Sequence, residues 1–197
     1  MTDSRLHSLR PGWIYEVVIT AKRDGAATAG PFGLWTGDGA TLEAALFKGS
    51  STLEAIRENG WFVANFVDNP LDLHGALNRR DQLVFDAVSE GEAAGWPVLA
   101  DVPAWLGMRV TNLEDAGKKM LLTAEIVDGS AAAPVKLINR AKGLFLESLV
   151  LSTRCRLLGW AAVDQLRENV RVIAKVAPGS GYETAVRELL AKVEGEC

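Results

Sequence analysis

Leu46–Phe66, LFKGSSTLEAIRENGWFVANF, sets a loop of small residues between two apolar runs, directly ahead of a helix. Ser51 or Thr52 is suited to cap a helix over Leu53–Asn59, with Glu54 in its first turn and Gly60 at its end. The flanking runs, Leu42–Phe47 and Trp61–Val67, read as strands. The second is apolar at nearly every position except Asn65, which predicts a strand covered on both faces. A strand that ends in Lys48-Gly49-Ser50-Ser51-Thr52 and opens a helix presents hydroxyls and unpaired backbone N–H groups at the positive end of a helix dipole. Lys48 would add a full charge, and Gly49 would let a ligand approach the backbone. Such a loop suits an anion, although hydroxyls of this kind also cap helices with no ligand at all. The glycine spacing of a Walker motif is absent.

Working outward, Trp13–Ala21 is rich in β-branched and aromatic residues, and Arg23-Asp24-Gly25 follows as a hairpin turn. Ala26–Trp35 is the expected return strand, with Gly30, Pro31 and Gly33 expected to break its ladder. Gln82–Val88, Ala104–Asn112 and Lys119–Asp128 read as further strands, while Asp68–Arg80 fits a loop or a short helix. From Pro134 the strand signals stop. One helix of about 23 residues through Leu158, interrupted only by Gly143, is expected there, followed by Trp160–Val176 and Tyr182–Glu194. The fold class is therefore α+β, mainly β: a strand-rich domain over residues 1–133 and a C-terminal helical extension over 134–197.

The chain has 197 residues, 48% of them hydrophobic, and a formal net charge of −4. That hydrophobic share suffices for a packed core, and the near-balanced charge argues against nucleic acid as a partner. No run is long and apolar enough to span a bilayer, and no signal peptide is apparent at Met1–Gly12, so no membrane partner and a cytoplasmic location are expected. Two cysteines, Cys155 and Cys197, supply neither a disulfide framework nor a zinc cluster, and His7 and His74 have no ligand-spaced neighbours. Cys155 is expected to be buried as a small hydrophobe.

An irregular strand with free backbone groups, an apolar floor and an anion cradle together suit a flat aromatic ligand with a phosphate tail, and FMN is one such ligand. The strand–GSST–helix–WFVANF arrangement resembles the FMN-binding split barrels of the flavin-reductase-like and pyridoxamine-phosphate-oxidase-like superfamily. YEVVIT followed by DG, AGPFG, LFKGSST, FVANFVDNP and NRAKGLFLESLVLSTR (Asn139–Arg154) are similar to an uncharacterised microbial family within it. The resemblance implies an FMN-binding split β-barrel, a homodimer, and FMN at or near the subunit interface. By position it assigns Ser50, Ser51, Thr52 and Lys48 to the phosphate, Pro31, Phe32 and Gly33 to the strand facing the ring, and Thr20 and Asn65 to polar positions nearby. Ser51 stands where flavin reductases often carry a cation, so the phosphate relies on Lys48 or on a cation from elsewhere. Arg140, Glu147 and Arg154, seven apart on the long helix, form either a packing ladder or, through Arg154, a contact to the cofactor. The expected function is a flavin-reductase-like oxidoreductase of unknown substrate. The alternatives are a non-enzymatic FMN carrier, sensor or electron-transfer subunit, or a barrel for another phosphorylated aromatic such as pyridoxal phosphate. Asp24, Asp38 and Asp68 sit near strand ends, but nothing singles them out as catalytic.

Overall fold

The computed structural model describes residues 9–131 and 136–196. It divides into two compact units: Tyr15–Ile138 with the residues up to Pro11, and Gly12–Ile14 with the chain from Asn139 onward. The boundary expected between residues 133 and 134, and Pro134 as a helix start, lie outside the described residues.

The first unit is a closed six-stranded barrel. Strands β1 (Tyr15–Arg23), β2 (Ala26–Trp35), β3 (Thr41–Phe47), β4 (Trp61–Phe66), β7 (Ala104–Ala116) and β8 (Lys119–Ala131) run in the order β1-β2-β3-β8-β7-β4, and β4 pairs with β1 to close the ring. The β1–β2 hairpin turns on Asp24 and Gly25, both at positive φ (50° and 80°). This is the backbone that a two-residue loop needs to match strand twist. Val17, Ile19, Leu34, Leu42, Leu46, Phe62, Met108 and Leu122 fill the interior, while Val18 faces outward and packs with Ala76 and Leu99.

β2 departs from expectation. Gly30, Pro31 and Gly33 do not interrupt its pairing with β1, which runs unbroken from Tyr15↔Leu34 to Arg23↔Ala26. The irregularity is on the other edge, where β2 meets β3 only at Leu34↔Ala44 and Trp35↔Glu43. A strand with one unpaired edge tolerates a proline, which has no N–H to donate. Two helices cover this side of the barrel: α1 (Ser51–Asn59) and α2 (Pro70–Asn78) both pack on β1 and β2.

α1 ends as expected at Gly60, which is left-handed at φ 73° and donates its N–H to Ile56 O. Its cap, however, is Ser50, whose Oγ accepts from Leu53 N at 3.2 Å. Ser51 and Thr52 are thereby left inside the first turn. The segment Asp68–Arg80 resolves as α2, capped by Asn69 with Pro70 in the first turn, and then as a short 3-10 turn at Arg80–Gln82. The strand expected at Gln82–Val88 shrinks to β5 (Phe85–Ala87), which pairs only with β6 (Pro97–Leu99), outside the barrel.

The second unit is helical: α3 (Arg140–Thr153), α4 (Cys155–Leu158), α5 (Trp160–Val176) and α6 (Gly181–Glu196). The single long helix expected here is broken at Arg154, the C-cap of α3. Ser152 Oγ and Thr153 Oγ1 each donate to a carbonyl three residues back, at Leu149 and Val150, and hydroxyls bonded in this way compete with the helical ladder. Arg140, Glu147 and Arg154 therefore do not share one continuous helix. Cys155 is buried as a free thiol beside Val163, Leu166 and Val193. No helix among the described residues is long and apolar enough to cross a membrane, and no group of three or more His, Cys, Asp or Glu among them could hold a metal ion.

Candidate binding site at the start of helix α1

The first turn of α1 carries the candidate site. The backbone N–H groups of Ser51 and Thr52 meet no acceptor among the described residues, as expected for the first residues of a helix. Ser51 Oγ lies 2.7 Å from Arg80 Nη1, which donates to it, and 3.2 Å from Thr28 Oγ1 on β2. Arg80 is anchored at its other side, where Nε donates to Ala76 O at 2.9 Å in the last turn of α2. Arg80 makes no ion pair among the described residues, so its charge rests on two neutral acceptors.

Thr52 is fully buried, and its Oγ1 is the one buried side-chain polar atom among the described residues without a hydrogen-bond partner. The reason is positional. A hydroxyl deeper in a helix can bond the carbonyl four residues back, as Ser148 Oγ does to Leu144 O at 2.7 Å. Thr52 sits at the second helical position, and four residues back lies Lys48, outside the helix. The hydroxyl instead points toward Gly30 on β2. A Cβ at Gly30 would lie 3.0 Å from Thr52 Oγ1 and 2.8 Å from Phe32 Cε2. Glycine is thus what lets the Thr52 hydroxyl and the Phe32 ring close onto β2 at this point. Pro31, Phe32 and Gly33 are half-buried on the same strand.

Three of the residues expected at the site have other work in this structure. Lys48 Nζ pairs with Asp115 Oδ2 at 2.6 Å, and this hydrogen bond, aided by the N–H of Gly117, holds the Asp115 carboxyl below its usual range. The cation that reaches the hydroxyls is Arg80, which carries no motif in the sequence. Thr20 and Asn65, both fully buried, form an internal polar hub. Asn65 Nδ2 donates to Val18 O and Thr20 Oγ1, each at 3.0 Å, while Asn65 Oδ1 accepts from Leu99 N at 2.9 Å. Thr20 Oγ1 donates to Pro97 O at 2.6 Å. The two side chains thereby fasten β6 to β1 and β4, and their polar atoms are satisfied within the chain. Arg154 is exposed in the helical unit, at the end of α3.

Several solved structures share this architecture. An FMN-bound protein from Methanosarcina mazei, itself assigned to DUF447, aligns over 97% of this chain and 100% of its own, with a TM-score of 0.58 and 19% identity. The flavin reductase PheA2 aligns over 68% of this chain and 91% of its own, at a TM-score of 0.51 and 21% identity. An FMN-binding protein from Thermus thermophilus, solved with bound 1-cyclohex-2-enone, aligns over 60% and 70% at a TM-score of 0.51 and 13% identity. These likenesses establish the flavin-reductase-like barrel expected from the sequence. No curated protein matches the chain. Residues 15–133 match the family model described as "Protein of unknown function (DUF447) N-terminal domain", and the chain belongs to that family.

Proposed function

We propose that the chain is an FMN-binding flavoprotein of the flavin-reductase type, with the phosphate seated at the first turn of α1. The observation that carries this reading is the orphaned Thr52 hydroxyl. A buried hydroxyl without a partner costs about 1–3 kcal/mol, and a phosphoryl oxygen would relieve that cost. The surrounding groups fit the same ligand: two unpaired N–H groups, the Ser51 hydroxyl and the Arg80 guanidinium. Ser50 belongs to the cradle through its cap. Pro31, Phe32 and Gly33 would face the ring. Thr20 and Asn65 act one step removed, by holding the strands beneath.

Bound FMN supplies the hydride and electron chemistry. The protein's share is to neutralise the phosphate through Arg80, to fix the ring against β2, and to keep the apolar floor dry. The FMN-bound and flavin-reductase neighbours support the oxidoreductase reading. The alternative is an FMN carrier or electron-transfer subunit. Purified protein should be yellow, with absorbance near 450 nm that is a property of the cofactor, and anaerobic NADH or NADPH should bleach it. Protein that is colourless and does not take up added FMN would end the flavin reading. Bound flavin that neither nucleotide reduces would favour the carrier.

A homodimer belongs to the same proposal. In the helical unit Leu146, Leu157 and Trp160 are 60%, 84% and 58% exposed, more apolar surface than a solitary helix bundle normally leaves to water. Sedimentation should give a dimer, and Leu157→Glu should shift it toward monomer; a monomeric native protein would remove this part of the reading. The proposed location is the cytoplasm, consistent with sparse cysteine and with a buried free thiol at Cys155.

A further inference from the structure

Exposure falls steadily across the site. Arg80 is exposed, Ser51 half-buried and Thr52 fully covered, and hydrogen bonding ties the guanidinium to Ser51. The three residues therefore lead from solvent into the protein, with the cation outermost. A guanidinium has five N–H donors in a fixed fork, and Arg80 spends one on Ala76 O and one on Ser51 Oγ. Its remaining donors and its whole charge are uncompensated. Both anchors are neutral, in contrast to Lys48, whose charge Asp115 already balances.

From this arrangement we infer that Arg80 selects a flavin ending in a phosphomonoester over one that continues into a dinucleotide. The inference rests on the flavin reading above and names what that site discriminates. A terminal phosphoryl carries about −1.5 to −2 charges at neutral pH and three free oxygens, enough to occupy the helix N–H groups and the arginine fork together. In FAD the same phosphorus carries one ester and one anhydride bond, bears one charge, and leads on to a second phosphate and an adenosine. That extension would have to leave by the outer end of the site, where Arg80 strapped to Ser51 stands across the way. Arg80 thus attracts the dianion and obstructs the longer ligand. Lys48 does neither.

The experiment compares riboflavin, FMN and FAD binding to the full chain by quenching of flavin fluorescence, in the native protein, in Arg80→Ala and in Arg80→Lys. The native protein should prefer FMN to FAD. Arg80→Ala should weaken FMN by roughly tenfold to a hundredfold, the size of a lost charge-assisted hydrogen bond, and leave riboflavin within about twofold. FAD should lose less than FMN, so the FMN-to-FAD preference narrows. Arg80→Lys should recover part of the FMN affinity, because the charge returns without the fork. A parallel loss of riboflavin and FMN would make Arg80 a structural strap only, and an unchanged FMN-to-FAD ratio would overturn the selectivity. If riboflavin, FMN and FAD all fail to bind the native protein, the flavin reading falls and takes this inference with it.

Discussion

Asn65→Leu is expected to destabilise the barrel by about 3–5 kcal/mol and to loosen β6 from it. The estimate follows from the partners left behind, since each buried polar group without a hydrogen bond costs about 1–3 kcal/mol. Leu99 N–H loses its acceptor, Val18 O and Thr20 Oγ1 lose a donor, and all of these lie inside the protein. Leucine also brings branched apolar bulk into a polar hub built for a flat amide. Against a total stability of about 5–15 kcal/mol for a domain, this is a large fraction. Chemical denaturation of native protein, Asn65→Leu and Thr20→Val measures it. Thr20→Val should cost less, because it frees only Pro97 O and one Asn65 N–H from a bond. The double variant should fall short of the sum, since the two side chains share a hydrogen bond. An Asn65→Leu midpoint within about 1 kcal/mol of the native protein would show that the hub is relaxed by water and is no fastening.

The same residue shows what the sequence could and could not tell. A lone asparagine in the apolar run WFVANFV announces itself, and its burial follows from its neighbours. Its partners do not, because β6 lies more than thirty residues away and is too short, at Pro97–Leu99, to carry a pattern. The ligand contact expected for it was the only use visible for a polar group there. Local signals did better: Asp24-Gly25 placed the hairpin, the bounds of β2 were legible at both ends, and Gly60 stopped α1. Where the reading failed, a competing local force was at work. Ser152 and Thr153 unsettle a helix whose apolar pattern continues past them, and Ser50 takes the cap ahead of two residues equally able to serve. Asn69-Pro70 was a start signal for α2 hidden by a segment with little periodicity. Arg80 had no signal: an arginine beyond a helix end ordinarily reads as a solvated charge, and only the fold brings it to Ser51.

Thr52→Val should move stability and ligand affinity in opposite directions. Valine keeps the branched shape and fills the same space, but it removes the hydroxyl that no group in the chain satisfies. The ligand-free protein should therefore gain about 1 kcal/mol, the lower end of what an unsatisfied buried polar group costs. FMN affinity should fall by roughly 30-fold, because a hydrogen bond to a charged acceptor contributes about 2 kcal/mol. Riboflavin, which lacks the phosphate, should bind as before. Thr52→Ser is the control in the other sense: it retains the hydroxyl while losing a methyl packed at the start of α1, so affinity should hold and stability should drop. Residues that serve packing alone do not behave this way, since their removal costs stability and gains nothing. A buried group that destabilises the empty protein persists where a ligand recovers the loss, and that exchange of stability for binding is common at functional sites. Thermal midpoints with and without FMN, set beside fluorescence titration, measure both halves. If Thr52→Val binds FMN as tightly as the native chain, the phosphate does not rest on this hydroxyl and the first turn of α1 is an ordinary helix end.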